Sequence, residues 1–480
     1  MKRWLSPILS GSFVTGVALG SLMTFQSALV FGCLAGVVIV AAAAAFQSRL
    51  AVLFLVSGGL FVSGMLLVSD TTEQYQTLSG ISGVSGSGTI RGEMDRGVYD
   101  ARVVVALDDC RSEVCPRELV QLRVDRFSEW SDGMRVHVGP CDFKRPERFD
   151  PEFDYPMYLA KEGIGFVADR CPMERIVGEE SYFRTWLSRA RVSVAERIAY
   201  RLPEPEAGLA RGLLLGGSDE LPDSVADAFR TVGLSHIVAV SGYNISVLAG
   251  GLFLLGILLG WYRKQAVWLT LLGIVLFVCL VGAPASAVRA ALMAGIAFFA
   301  LLAARPADGL SLLCVAGALM LAANPLLLRY DIGFQLSFAA TFAILISAPV
   351  RARMRYRSWI VGSVTEMVLI TSSVLIFVIP LSLFHFGTLS PYALLSNILV
   401  LPLVPVAFLL SFAIVLLGWV PGLGAGIGWL GYGALHGALF LGDRLSALPG
   451  AGMTFSGVAA WMVGCWYLGW VLFFVWRNNR

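Results

Sequence analysis

His236, Ser241, Tyr243, Asn244 and Ser246 stand together inside an otherwise apolar run, HIVAVSGYNISVLAG, at 236–250. Polar side chains at membrane depth persist where they meet water, a partner or a passing solute, because a charge at the bilayer centre costs about 2.5–3.5 kcal/mol on insertion scales. Three further runs carry the same signal. Arg289 lies at the outer end of the span containing GAPASAVRAALMAG, Asp331 and Gln335 are four apart in RYDIGFQLSF, and His385 accompanies Ser390 and Asn397 in FHFGTLSPYALLSN. Such groups suit a hydrated path or a proton relay better than catalysis. The four histidines are far apart, and no HExxH, GxSxG or P-loop is present. A hydrolase built on Ser241 and His236 lacks a nearby acid to orient the histidine. Plainer roles compete at each position: close helix packing for Ser241 and Gly242, snorkelling for Arg289, capping of the next helix for Asp331, and an interfacial place for His385.

At about 100° per residue, His236, Tyr243 and Asn244 fall within an arc of about 100°, Ser241 lies about 60° further round, and Ser246 is on the other side. No single polar stripe results. The pattern predicts a helix interrupted around Ser241 and Gly242, since glycine tolerates unwound backbone and such backbone survives at membrane depth only beside a wet cavity.

The elements that carry these residues are membrane helices. With 57% hydrophobic and 14% charged residues over 480, the chain reads as a polytopic α-helical membrane protein. Hydropathy predicts three N-terminal spans at about 7–24, 28–46 and 50–68. Nine more follow at about 236–261, 266–282, 287–304, 310–323, 332–350, 359–381, 393–418, 423–440 and 453–476, about 12 in all. Threading them places YRKQ, Arg305, the RARMRYR run and the C-terminal RNNR with the basic N-terminus on the cytoplasmic side, in keeping with the positive-inside rule.

Between these sets lies a polar segment. SGISGVSGSGTIRG at 79–92 reads as a Gly and Ser rich linker marking a domain boundary. YDARVVVAL, ELVQLRV, GMRVHVG and GFVAD read as strands of a small inserted all-β domain, of the OB barrel type or a sandwich. Cys110, Cys115, Cys141 and Cys171 fall in it, and an oxidising compartment would allow two disulfides. Of three pairings, Cys110 to Cys115 with Cys141 to Cys171 is the simplest, and a zinc site is the rival. SYFRTWLSRARVSVAERIAYRL at 181–202 carries Arg184, Arg189, Arg191, Arg197 and Arg201 against Glu196 alone. It reads as a basic amphipathic helix resting on lipid headgroups, or as a collar guiding a polyanion. The expected division is 1–70 N-terminal helices, 71–180 external domain, 181–202 interfacial helix and 203–480 channel domain.

In order and spacing, GLARGLLLGGSDELPDSVADAFRTVGLSHIVAVSGYNISVLAG, VRAALMAGIAFFALLAARPADGLSLL, NPLLLRYDIGFQLSFAATFAILI and IPLSLFHFGTLSPYALLSNILVLPLVPVAF resemble the ComEC competence proteins. The polar domain, with its FDYPMYLAKEGIGF ending, is similar to the external domain of that family. The resemblance implies a bacterial inner-membrane channel passing single-stranded DNA into the cytoplasm in natural transformation, without catalysis, cofactor or metal. It implies a form without the metallo-β-lactamase-like domain that many members carry at the C-terminus. Tyr243 departs from the family pattern, where leucine is common. Carried over position by position, His236, Ser241, Gly242, Asn244, Arg289, Asp331, Gln335 and Ser337 become channel or signature residues, with Tyr243 and His385 beside them. Lys144, Arg145 and Arg148 of FKRPERF, with Arg184, Arg189 and Arg191, become candidate DNA-guiding contacts. The implied partners are single-stranded DNA and membrane lipid, a separate nuclease and DNA receptor outside, a cytoplasmic motor or single-strand-binding protein inside, and another copy of the chain. Residues 71–202 would lie on the periplasmic side, with both termini cytoplasmic. A proton-coupled transporter of a small solute, using Asp331 and a histidine as relay, is the alternative.

Overall fold

The computed structural model describes residues 2–478 except 25, 29–30, 33–34, 36–48, 98–99, 111–115, 150–152, 177–181, 217–220, 239–240, 303–307, 355–357 and 456. Most of the span expected at 28–46 lies outside the described residues, as do Cys115, Arg305 and part of the RARMRYR run. The chain opens with helices α1 (Lys2–Gly20) and α2 (Arg49–Gln76). Strands β1 (Ile81–Arg96), β2 (Ala101–Cys110), β3 (Leu119–Val124) and β4 (Arg135–Phe143) follow, then α3 (Tyr155–Ala160), β5 (Ile164–Asp169) and β6 (Met173–Arg175). The remainder is almost wholly helical: α4 (Tyr182–Arg201), α5 (Glu206–Leu215), α6 (Asp223–Thr231), α7 (Ser235–Val238), α8 (Gly242–Leu258), α9 (Arg263–Val281), α10 (Ala285–Leu302), α11 (Gly309–Ala323), α12 (Leu327–Tyr330), α13 (Ile332–Ala352) and α14 (Trp359–Phe386). A two-residue strand β7 (Thr388–Leu389) precedes α15 (Ala393–Val400), α16 (Leu403–Leu417) and α17 (Leu423–Ser446), and β8 (Met453–Thr454) pairs with β7 before α18 (Ala460–Asn478).

Two compact units result, Met1–Val192 with Cys314–Asp331, and Ser193–Leu313 with Ile332–Arg480. In the first, α1 packs along α2 through Gly16, Gly20 and Gly64, where an added Cβ would run into the facing backbone. Small residues at such crossings let helices in lipid approach closely. The sheet runs β5-β3-β2-β1-β4-β6, antiparallel except for the parallel β3–β5 pair. Past the end of β4, Lys144 exchanges both backbone hydrogen bonds with Val167 of β5, at 2.9 and 2.8 Å, which joins the sheet into a five-stranded ring. Val84, Ile90, Val103, Val105, Val120, Leu122, Val136, Val138, Phe143 and Phe166 fill it.

The four strands expected from alternation are present as β2 to β5, but residues 79–92 are not a linker. They supply most of β1, which pairs with both β2 and β4. Its inward positions are Val84, Gly86, Gly88 and Ile90. At Gly86 and Gly88 an added Cβ would collide with the carbonyl oxygens of Asp109 and Ala106. Glycine stands here where the backbone of β2 crowds β1, so the alternation of a strand is present without the apolar side chains that would signal it.

In the second unit α5 to α10 and α15 to α17 enclose an apolar core that includes Leu209, Leu213, Phe229, Ile245, Leu248, Phe277, Phe408 and Leu435. Among the described residues four helices are long and apolar enough to cross a membrane: α9, α10, α13 and Val361–Phe386 of α14. The α15–α16 pair, bent by 44° at its break, has the length and composition of a broken span or a re-entrant loop. Helices α8 and α11, of 17 and 15 residues, are apolar but fall short of the roughly 20 that a straight crossing needs.

Candidate functional site

The helix predicted over 236–261 is interrupted as its polar pattern suggests. Helix α7 ends at Val238, Ser241 is extended (φ −104°, ψ 163°), and α8 starts at Gly242. Gly242 is not among the glycines with left-handed backbone, so conformational freedom is not its reason for being there. A Cβ at Gly242 would lie 2.9 Å from Nη2 of Arg289 and 3.3 Å from Cβ of Ala290. The missing side chain makes room for the guanidinium.

Of the polar residues at the break, Ser241 and Asn244 meet, Oγ donating to Oδ1 at 3.5 Å, and the others face elsewhere. Asn244, 1% exposed, donates from Nδ2 to the Leu213 carbonyl at 3.2 Å, while Tyr243 is exposed. Ser246 donates to the Gly242 carbonyl at 2.9 Å, the usual back-bond of a helical serine. His236 is exposed, with Nδ1 3.2 Å from the Gly233 carbonyl.

Arg289 is the central group. It is 7% exposed, on α10, between α8 and α13. Nη1 donates to Thr341 Oγ1, which in turn donates to the Ser337 carbonyl at 2.9 Å. The guanidinium also lies over the Phe338 ring, 5.8 Å from its centroid. Nε is buried without a hydrogen-bond partner, and among the described residues no carboxylate pairs with this side chain. Thr341 was not singled out in the sequence. Its signal was its place four residues after Ser337, one turn further along the same helix face.

Gln335, four residues after Asp331 in the sequence, is joined to His385. His385 Nε2 donates to Gln335 Oε1 at 2.7 Å, linking α13 to α14. On α13, Gln335 lies about 120–160° round from Ser337 and Thr341, so the Arg289 and His385 contacts occupy different sides of that helix. Asp331 is extended (φ −109°, ψ 101°), ahead of α13, and does not share a helix face with Gln335. Within the first unit its Oδ2 meets Lys161 Nζ at 3.0 Å, with both side chains largely buried at 15% and 10% exposed. Asn324 Nδ2 donates to the Lys161 carbonyl at 2.6 Å, and Lys161 Nζ stands 4.3 Å above the Tyr158 ring. Burial pushes the neighbouring Glu162 carboxyl above its usual range, with Lys161 pulling it back.

The candidate guiding residues are engaged to different degrees. Arg184 pairs with Asp132 at 3.1 Å, Arg191 with Glu93 at 2.7 Å and Arg148 with Asp154 at 3.5 Å, and Arg145 donates to the Gln76 carbonyl at 2.6 Å. Lys144 and Arg189 are exposed. Phe127 and Phe149 project from the same β domain at 88% and 78% exposure. Cys141 and Cys171 form a disulfide across 5.7 Å between Cα atoms. Cys110 is also disulfide-bonded, while Cys115 lies outside the described residues. Among the described residues no three His, Cys, Asp or Glu side chains gather as a metal site requires.

Apolar helices of crossing length, one broken helix and a buried unpaired cation define a membrane-embedded helical protein, here joined to a small β domain. Residues 213–480, more than half of the chain, match the competence protein family, so the chain belongs to that family, and it is of the ComEC type. It is 28% identical over 288 residues to ComE operon protein 3 of Bacillus subtilis (strain 168). That alignment covers 60% of this chain and 35% of the relative. No solved structure matches.

Proposed function

We propose that this chain is the membrane passage through which single-stranded DNA reaches the cytoplasm in natural transformation. The observation that carries the reading is Arg289, a buried guanidinium with an unpartnered Nε and no carboxylate beside it among the described residues. A structural arginine in hydrocarbon is ordinarily neutralised by an acid, and one that is not is matched to an anion that comes and goes. Membership of the competence family makes the DNA backbone the natural candidate. Ser241, Asn244, Gln335 and His385 would offer hydrogen bonds along the way.

Around this passage we place about twelve spans, with short α8 and α11 crossing where neighbours cover their ends, both termini cytoplasmic and residues 71–202 outside an inner membrane. The β domain is read as an OB-type barrel, supported by its strand order and by the Lys144–Val167 closure. Lys144, Arg189 and the exposed Phe127 and Phe149 are its best candidates for holding single strands by charge and stacking. Arg184 and Arg191, already paired with Asp132 and Glu93, are weaker candidates than their charge alone implies. A separate nuclease, receptor and cytoplasmic motor complete the pathway in this reading. The alternative proton-coupled transporter is disfavoured, since its intended carrier Asp331 is held by Lys161.

The test is Arg289→Leu, scored by import of labelled DNA into the cytoplasm alongside membrane insertion and DNA binding at the cell surface. Import is expected to fall at least about tenfold, the equivalent of one lost charged hydrogen bond, with insertion and surface binding retained. Unchanged import would refute the passage reading at this residue.

A further inference from the structure

Helix α8 is 17 residues long and begins, after the break, with Ser241 making no side-chain cap bond. Its first intrahelical bond is Ile245 N to the Ser241 carbonyl at 3.4 Å. The amides of Gly242, Tyr243 and Asn244 precede that bond, and among the described residues none of them has a hydrogen-bond acceptor. A helix N-terminus of this kind carries about half a positive charge. Every Cα–Cβ bond in a helix tilts toward the N-terminus, so the space denied to a Gly242 Cβ lies on the side where these amides point. Nη2 of Arg289 is 2.9 Å from that position.

Two positive groups are therefore held close together: the half-buried end of α8 at Ser241 and Gly242, and a guanidinium that is more than nine-tenths buried, with an orphaned Nε. Thr341 and Phe338 hold the guanidinium there, but neither supplies negative charge. Such an arrangement is unfavourable by itself and becomes favourable when an anion accepts from both sides.

We infer that the N-terminus of α8 and Arg289 together form an anion site that takes one phosphodiester group, with Gly242 as the residue that lets the two donors converge. The site deepens the passage reading, on which the choice of DNA as the phosphate source rests. The same chemistry would accept a phospholipid headgroup, so the experiment separates the two.

Full-length protein in a maltoside detergent, free of phospholipid, is titrated with a short single-stranded oligonucleotide, with its uncharged methylphosphonate analogue, and with a soluble short-chain phosphatidylglycerol. The informative variant is Gly242→Ala. Its Cβ meets only the tip of a flexible side chain and the Ala290 methyl, so it displaces the guanidinium without rebuilding the fold. Arg289→Leu is the companion, and an unchanged thermal midpoint verifies folding of both. Each variant is expected to weaken oligonucleotide binding about tenfold. Each is also expected to lower the slope of log affinity against log salt by about 0.7, the contribution of one phosphate on a single strand. The methylphosphonate analogue should not sense either change.

If phosphatidylglycerol binds with the same sensitivity to the variants and the oligonucleotide does not bind, the anion site stands and its phosphate is a lipid's. Affinities and salt slopes that are unchanged in both variants for both probes overturn the site. A loss of DNA import in cells with unchanged slopes leaves the passage reading standing and removes the anion site. Lost binding with normal import does the reverse.

Discussion

Individual residues in this protein are defined by what they are denied. Arg289 has one hydroxyl partner, an aromatic face and an orphaned Nε, whereas Lys161 has a carboxylate, a ring and a neighbouring amide that fixes its backbone. The first pattern suits a transient anion and the second a permanent joint. Replacing Lys161 alone by methionine takes the Nζ donor away from the largely buried Asp331 carboxylate, and is expected to destabilise the first unit by about 1.5–3 kcal/mol. The double variant with Asp331→Leu should recover part of that loss, because the desolvation of both charges disappears together. Thermal unfolding of the solubilised protein, wild type against the single and double variants, measures both effects. At this scale the sequence revealed which residues were out of place, such as Asp331 and Arg289, but not their partners. Lys161 lies 170 positions from Asp331, and in LAKEGI it resembles any surface lysine.

At the scale of elements, hydropathy located most of the long apolar helices, of which four or five are of crossing length among the described residues, and strand alternation located β2 to β5. Strand β1 was missed because its inward positions are partly glycine. Gly86→Val should therefore be more damaging than its polar neighbourhood suggests, since the new side chain meets the Asp109 carbonyl with no flexible atom to yield. Overpacking of this kind costs about 1–3 kcal/mol or more. The expected readout is loss of ring closure, seen as reductant sensitivity of the Cys141–Cys171 bond and thiol labelling of both cysteines under conditions where the parent is protected. Retained protection would mean that β1 is not the shared middle strand. The break before α8 belongs to this scale as well. Its position was legible from the scatter of polar residues round the wheel, but the reason for Gly242 is close approach by Arg289 and not backbone freedom.

For the whole molecule, the β domain depends on its covalent staple as well as on its core. The Cys141–Cys171 bond spans 30 positions, and a loop of that size contributes about 3–4 kcal/mol in the chain-entropy view. Cys141→Ser with Cys171→Ser should lower the melting transition of the domain and reduce surface DNA binding, while the helical unit remains inserted. Orientation is tested separately. In intact cells Ser128→Cys is expected to react with a membrane-impermeant maleimide, and Lys264→Cys only after permeabilisation, as the distribution of basic loops requires. Labelling of both from outside would contradict the proposed threading.

Taken alone, the sequence determined the solvent of this protein, the placement of most helices and strands, and its family, because hydropathy, periodicity and motif order are written along the chain. Only the tertiary structure decided that Asp331 serves Lys161, that Gln335 serves His385 across α13 and α14, that residues 79–92 are a central strand, and that Gly242 exists for Arg289. Those are choices of partner. They depend on distances between segments far apart in the chain, and local composition contains no record of them.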